Sequence, residues 1–166
     1  MSERDRDGGA GRGGGREGGF AADFGEGCEG AADPARRAGA VRSAWAGTVE
    51  IRRMLAPSPT EPAPWERERP VRAVAIALEA AGVTPSAVDA EGRRVRTGYR
   101  VAEGGPEDED PVRVEWAGPQ GSGVREEAAD RLRACIPLLR ERGWDALLYY
   151  GPGKRPYLGV RAGPGR

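Results

Sequence analysis

The sequence predicts an α+β fold: a two-layer sandwich with two helices on one face of a four-stranded, mainly antiparallel sheet, in the order α-β-β-α-β-β, behind a disordered Gly-rich tail. Three observations carry this prediction. Apolar residues recur at spacings of three to four in two stretches, and they alternate with polar residues in four others. Of the 25 Leu, Ile, Val and Phe, 19 lie from Trp65 onward, with three of the four Trp and all four Tyr.

The elements follow in order. Residues 1–34 hold eleven Gly among Asp, Glu, Arg and Ala, with only Phe20 and Phe24 to bury, so ordering entropy wins and a disordered tail is expected. Residues 35–56 have Val41, Trp45, Val49 and Ile51 near one face of a short helix, against which Gly39 and Gly47 each cost about 1 kcal/mol. Pro57, Pro59, Pro62 and Pro64 make 57–64 a stiff linker, and a small α+β domain fills 65–166. Pro70 starts its first helix, Val71, Val74, Leu78 and Ala81 form the stripe, and Gly82 ends it. Val83 to Gly92 reads as a connector.

Val95, Thr97, Tyr99 and Val101 then alternate with Arg94, Arg96, Gly98 and Arg100 as one half-buried strand, and Val112, Val114 and Trp116 form its hairpin partner across an acidic tip. Ser122 is the expected N-cap of a helix to Arg142, with Val124, Ala128, Leu132, Cys135 and Leu139 on one stripe. Pro137 predicts a kink or break within it. Trp144 to Tyr150 and Tyr157 to Ala162 make a second hairpin around GPGKRP. The two halves echo each other, since Arg72–Gly82 and Arg133–Gly143 share four residues in eleven, too few to establish duplication.

Charge excludes little by itself. Lys+Arg and Asp+Glu are both 26, so no global field favours nucleic acid or anionic lipid. Arg supplies all but one of the cations, Asn is absent, and Gly and Ala are in excess, a skew that GC-rich bacterial codons impose. No stretch is long and apolar enough for a leader or a bilayer span, and Arg36-Arg37 and Arg52-Arg53 lack the hydrophobic run of an export signal. Cys28 and Cys135 stand in unrelated contexts, so a reducing cytoplasm is expected rather than a disulfide or metal framework.

The motifs carry no chemistry. Gly9 to Gly14 matches GxGxxG but has neither the strand nor the helix of a dinucleotide site. In GPGKRP, Arg155 stands where a phosphate loop needs Ser or Thr, so a hairpin turn is the reading. Glu107-Asp108-Glu109-Asp110 lacks the ligand spacing of a calcium loop and is expected to be a solvated tip. With no His, and with Cys135 on an apolar stripe, no catalytic residue, metal ligand or cofactor site is assigned. Arg12-Gly13-Gly14 is a single RGG. Met54, preceded by codons able to encode a ribosome-binding site, raises the reading that residues 1–53 are not natively translated.

One constellation supports a binding role. If Val95, Tyr99, Val112, Val114 and Trp116 face the helices, Arg94, Arg96, Arg100 and Arg113 share the opposite face, joined by Tyr149, Tyr157 and Arg161. Arginine interleaved with aromatics suits single-stranded nucleic acid. Zero net charge favours instead a solvated face paired with Glu115 and other acids. The same residues suit a protein interface. The expectation is a non-catalytic protein-interaction or assembly module with exposed sheet edges that permit a dimer, with nucleic-acid binding second and a carboxylate-dependent enzyme third.

Overall fold

The computed structural model describes residues 20–30 and 33–164; the GxGxxG match and the RGG lie outside them. In chain order the elements are β1 (Gly27–Cys28), α1 (Pro34–Leu55), α2 (Pro64–Glu68), α3 (Pro70–Ala80), β2 (Ala87–Val88), β3 (Arg94–Arg96), β4 (Gly98–Glu103), β5 (Val112–Ala117), α4 (Val124–Glu141), β6 (Trp144–Tyr150) and β7 (Pro156–Ala162). Strands β4-β5-β7-β6 form an antiparallel sheet in that order, and β1-β2-β3 form a small second one.

The two-layer α+β arrangement is present. Helices α3 and α4 cover one face of the large sheet, and the core gathers Val74 and Leu78 from α3, Leu132, Cys135 and Leu139 from α4, and Tyr99, Val101, Val112, Val114, Trp144, Leu158 and Val160 from the strands. Alternation places these strand residues inward, and the α4 stripe is the predicted one from Ala128 to Leu139, with Val124 half-buried at its start. Gly82 ends α3 in the left-handed region at φ 84°, with Val83 N donating to the Leu78 carbonyl at 3.1 Å. Burial of a core Leu such as Leu132 or Leu158 puts its truncation to Ala at about 2–5 kcal/mol.

The structure corrects several expectations. The stretch Arg94 to Val101 is two strands, because the backbone of 84–86 runs against the start of β4: Tyr99 N donates to the Thr84 carbonyl at 3.0 Å and Ser86 N to the Tyr99 carbonyl at 2.9 Å. Gly98 permits this approach, since a Cβ there would overlap the Thr84 carbonyl oxygen. Val95 consequently lies in β3, 36% exposed, and does not face the helices. The expected connector 83–92 contains β2. Gly123, at φ 72°, is the cap residue of α4, while the Ser122 hydroxyl donates to the Pro119 carbonyl. Helix α4 continues through Pro137, which sits on the exposed side where water can take the freed carbonyl.

The N-terminal region is folded onto the sandwich from Phe20 onward, where the sequence reading placed a tail to residue 34. Its side chains offered too little apolar area, but its ordering comes from backbone and ionic bonds: Arg37 Nη1 donates to the Ala21 carbonyl (2.9 Å), Arg72 Nη2 to the Phe20 carbonyl (2.6 Å), and Val101 N to the Phe24 carbonyl (2.9 Å). Asp33 caps α1 and Pro34 opens it. Its buried side is Val41, Thr48 and Arg52 with Trp45 packed alongside, a 3.6-residue stripe that replaces the expected Val49 and Ile51.

Arg52 is the anchor of that stripe. Its guanidinium grips Glu66 of α2 through two bonds of 2.7 and 2.6 Å, donates to the Arg142 carbonyl at 2.8 Å and lies over the Trp45 ring, with the paired side chains 2% and 1% exposed. Glu66 also accepts from Ala63 N at 2.8 Å. A chain begun at Met54 would lack Arg52 and nearly all of α1, and with them the cation that Glu66 pairs with.

Candidate functional site

The large sheet leaves its second face bare of helices. Alternation along β4, β5, β7 and β6 sends Arg100, Arg113, Glu115, Tyr157, Arg161, Asp145, Leu147 and Tyr149 to it, in the register Arg100 to Glu115, Arg113 to Gly159, Gly159 to Leu147 and Tyr157 to Tyr149. Arg94 joins from β3. Arg96 does not, because its Nε donates to the Pro85 carbonyl at 2.9 Å on the side of a separate cavity.

These side chains form one continuous ladder. Glu26 accepts from Arg94 (2.6 Å) and from Arg100, Arg100 donates to Glu115 (3.0 Å), and Glu115 accepts from Arg113 Nε (2.9 Å). Arg113 Nη1 reaches Asp108 at 3.5 Å, and its guanidinium carbon stands 3.7 Å above the Tyr157 ring. Tyr157 stacks on Tyr149 with centroids 5.5 Å apart and donates from its hydroxyl to Asp108 at 3.0 Å. Arg161 lies 3.8 Å from Asp110. Four guanidinium groups thus meet four carboxylates, which is the neutral face that zero net charge favours.

Two of those carboxylates come from the acidic tip. The sequence reading left it solvated, but only Glu107 and Glu109 are exposed, while Asp108 and Asp110 turn toward the sheet. Gly159 makes this possible, since a Cβ at that position would overlap an Asp110 carboxylate oxygen. The Gly105 N–H bond, at 2.7 Å, holds the Asp108 carboxyl below its usual range, aided by Tyr157 and Arg113. For Glu26 burial pushes upward, but hydrogen bonds from Arg100 and Arg94 outweigh it and the net direction is down. Partial burial raises both Tyr149 and Tyr157, so the stacked phenols stay neutral.

Among the described residues no group of three His, Cys, Asp or Glu could hold a metal ion. Burial pushes the Cys135 thiol up to about 11, far from a reactive thiolate, and Cys28 is free and exposed in β1. The larger cavity, about 870 Å³, opens between residues 21–30, α1 and the end of α3, with Phe24, Val41 and Val83 against the Arg37–Glu79 pair. That ion pair is bidentate, at 2.8 and 2.7 Å.

The two edges of the sheet are unlike. Beside β4 run Phe24 and residues 84–86, bonded to it as described. Along β6, among the described residues, no further strand is bonded to the side away from β7. Strand β6 has seven residues, no Pro, Gly, Lys or Arg, and one charge, Asp145; Leu147 is 47% exposed and Tyr150 54%. The sequence reading anticipated exposed edges but did not single out Leu147, although its alternation with Asp145 and Tyr149 was visible. Glu26 carried no signal, since nothing local ties a tail carboxylate to a sheet.

Comparison with known proteins finds no family model, curated protein or solved structure that matches the chain.

Proposed function

We propose that the chain is a non-catalytic protein-interaction or assembly module that binds through the β6 edge. The carrying observation is the contrast between that strand and the guards most natural edges use: among the described residues it has no lysine, proline or register break and no strand bonded along its outer side, Asp145 is its one charge, and it offers Leu147 and Tyr150. Among the described residues no helix is long and apolar enough to cross a membrane, and a cytoplasmic setting for the module is supported by two cysteines that remain free.

A second reading, nucleic-acid binding, is favoured by the Arg113–Tyr157–Tyr149 stack, which has the form of a base platform. Against it stands the pairing of Arg94, Arg100, Arg113 and Arg161 with carboxylates. The test is capture by the immobilised full chain with Leu147→Lys as control, at low and high salt. Protein bound by the wild type, released by Leu147→Lys and indifferent to salt supports the edge reading. Nucleic acid that high salt removes would put the second reading first.

A further inference from the structure

Building on the edge reading, we infer that the occupant of β6 is β6 of a second copy, running antiparallel about a two-fold axis at Leu147. An open edge presents backbone donors and acceptors along its length, and an extended strand is the partner that satisfies them. The large sheet has no further strand of its own among the described residues to supply one.

The strand is self-complementary about its midpoint. Pairing centred on Leu147 sets Leu147 against its own image, Ala146 against Leu148 of the other copy, Asp145 against Tyr149 and Trp144 against Tyr150. The one charge of the strand therefore meets a phenol rather than another carboxylate. Both half-exposed apolar side chains are covered, Leu147 on the bare face and Tyr150 on the helical face. Arg133 of α4 reaches the Tyr150 hydroxyl at 3.2 Å, which marks the flank of α4 that comes to the same axis. The product is one eight-stranded antiparallel sheet with both copies of α3 and α4 on a common side.

The experiment is light scattering on the full chain after size exclusion, with wild type, Leu147→Lys and the double variant Leu147→Cys, Cys28→Ser. The expected result is a wild-type mass twice the 17.6 kDa of one chain, and a Leu147→Lys mass of one chain that still unfolds in a cooperative transition, below the dimer's by the stabilisation that association gives. Opposed residues in an antiparallel pair lie about 4.5–5.5 Å apart at Cα, within disulfide reach, so the Cys variant should cross-link on mild oxidation and separate on reduction. That arm stands even if the Lys variant fails to fold. A monomeric wild type, a dimer that survives Leu147→Lys in a folded protein, or a Cys variant that does not cross-link overturns the inference. A monomer that still captures a different protein through Leu147 overturns the second copy and keeps the edge reading, whereas a monomer that captures nothing overturns both.

Discussion

Strands β4 and β6 bound the same sheet, and they are finished in opposite ways. At β4 the chain returns twice, once through Phe24 and once through residues 84–86, so the outward N–H and C=O of Tyr99 and the outward N–H of Val101 are bonded. At β6, among the described residues, no further strand is bonded to the outer side. The difference teaches that an N-terminal region with almost no apolar side chains can still serve the sheet, by supplying backbone where side chains are scarce. It also leaves the outer edge without a further strand, among the described residues, at β6, whose seven residues are all apolar or aromatic but Asp145.

The largest expected effect breaks the covered side from a distance. Arg52→Ala should cost about 3–5 kcal/mol, read as a fall in the urea midpoint, because Glu66 stays buried without its cation. Since α1 ties down residues 20–26 through Arg37, hydrogen exchange should quicken in β4 before it does in β5 and β7. Exchange that stays slow in β4 would mean that the covering segment does not close that edge.

Gly25→Val acts on the cover itself. Gly25 sits at φ 83°, and a Cβ there would overlap the Tyr99 carbonyl oxygen, so a loss of about 1–3 kcal/mol is expected by chemical denaturation. Tyr99→Phe removes the hydroxyl that donates to the Asp23 carbonyl at 2.9 Å and should cost about 1 kcal/mol. Acidification probes the ladder joining the cover to the bare face. Glu26 and Asp108 are held below their ordinary values when folded, so their contribution is present above the unfolded carboxylate range and is lost as pH falls through the depressed folded values. Melting temperature should drop on acidification, and Asp108→Asn should flatten that drop. The smallest effect belongs to the open side: Leu147→Lys should change the stability of a single chain by no more than about 0.5 kcal/mol while removing association.

Much of the sandwich was legible because its elements obey single periods. Leu132, Cys135 and Leu139 repeat at helical spacing and Val112 and Val114 at strand spacing, and their burial follows directly, with Trp116 half-buried beside them. The break at Thr97 was not legible, since Arg94 to Val101 alternates without interruption and only the nonlocal approach of residues 84–86 divides it. Arg52 was hidden for another reason: a periodicity reading counts arginine as polar, whereas a carboxylate elsewhere in the chain made it the most buried side chain of α1. The candidate face was found in outline, with Arg94, Arg100, Arg113, Arg161, Tyr149 and Tyr157 on it and Arg96 turned away. Its neutrality depended on Glu26 and on Asp108 and Asp110, partners that local spacing does not reveal.

The reach of Arg52 across 90 residues to the Arg142 carbonyl also sets a schedule. A ribosome adds roughly 5–20 residues per second, so Arg52 is made about 5–18 s before the Arg142 carbonyl that it bonds. Within that interval Glu66 of α2 and Glu79 of α3 are made, the carboxylates that hold Arg52 and Arg37 of α1. The newborn chain therefore offers α1 its partners in sequence, α2 and α3 first, and the Arg142 carbonyl completes the anchorage last.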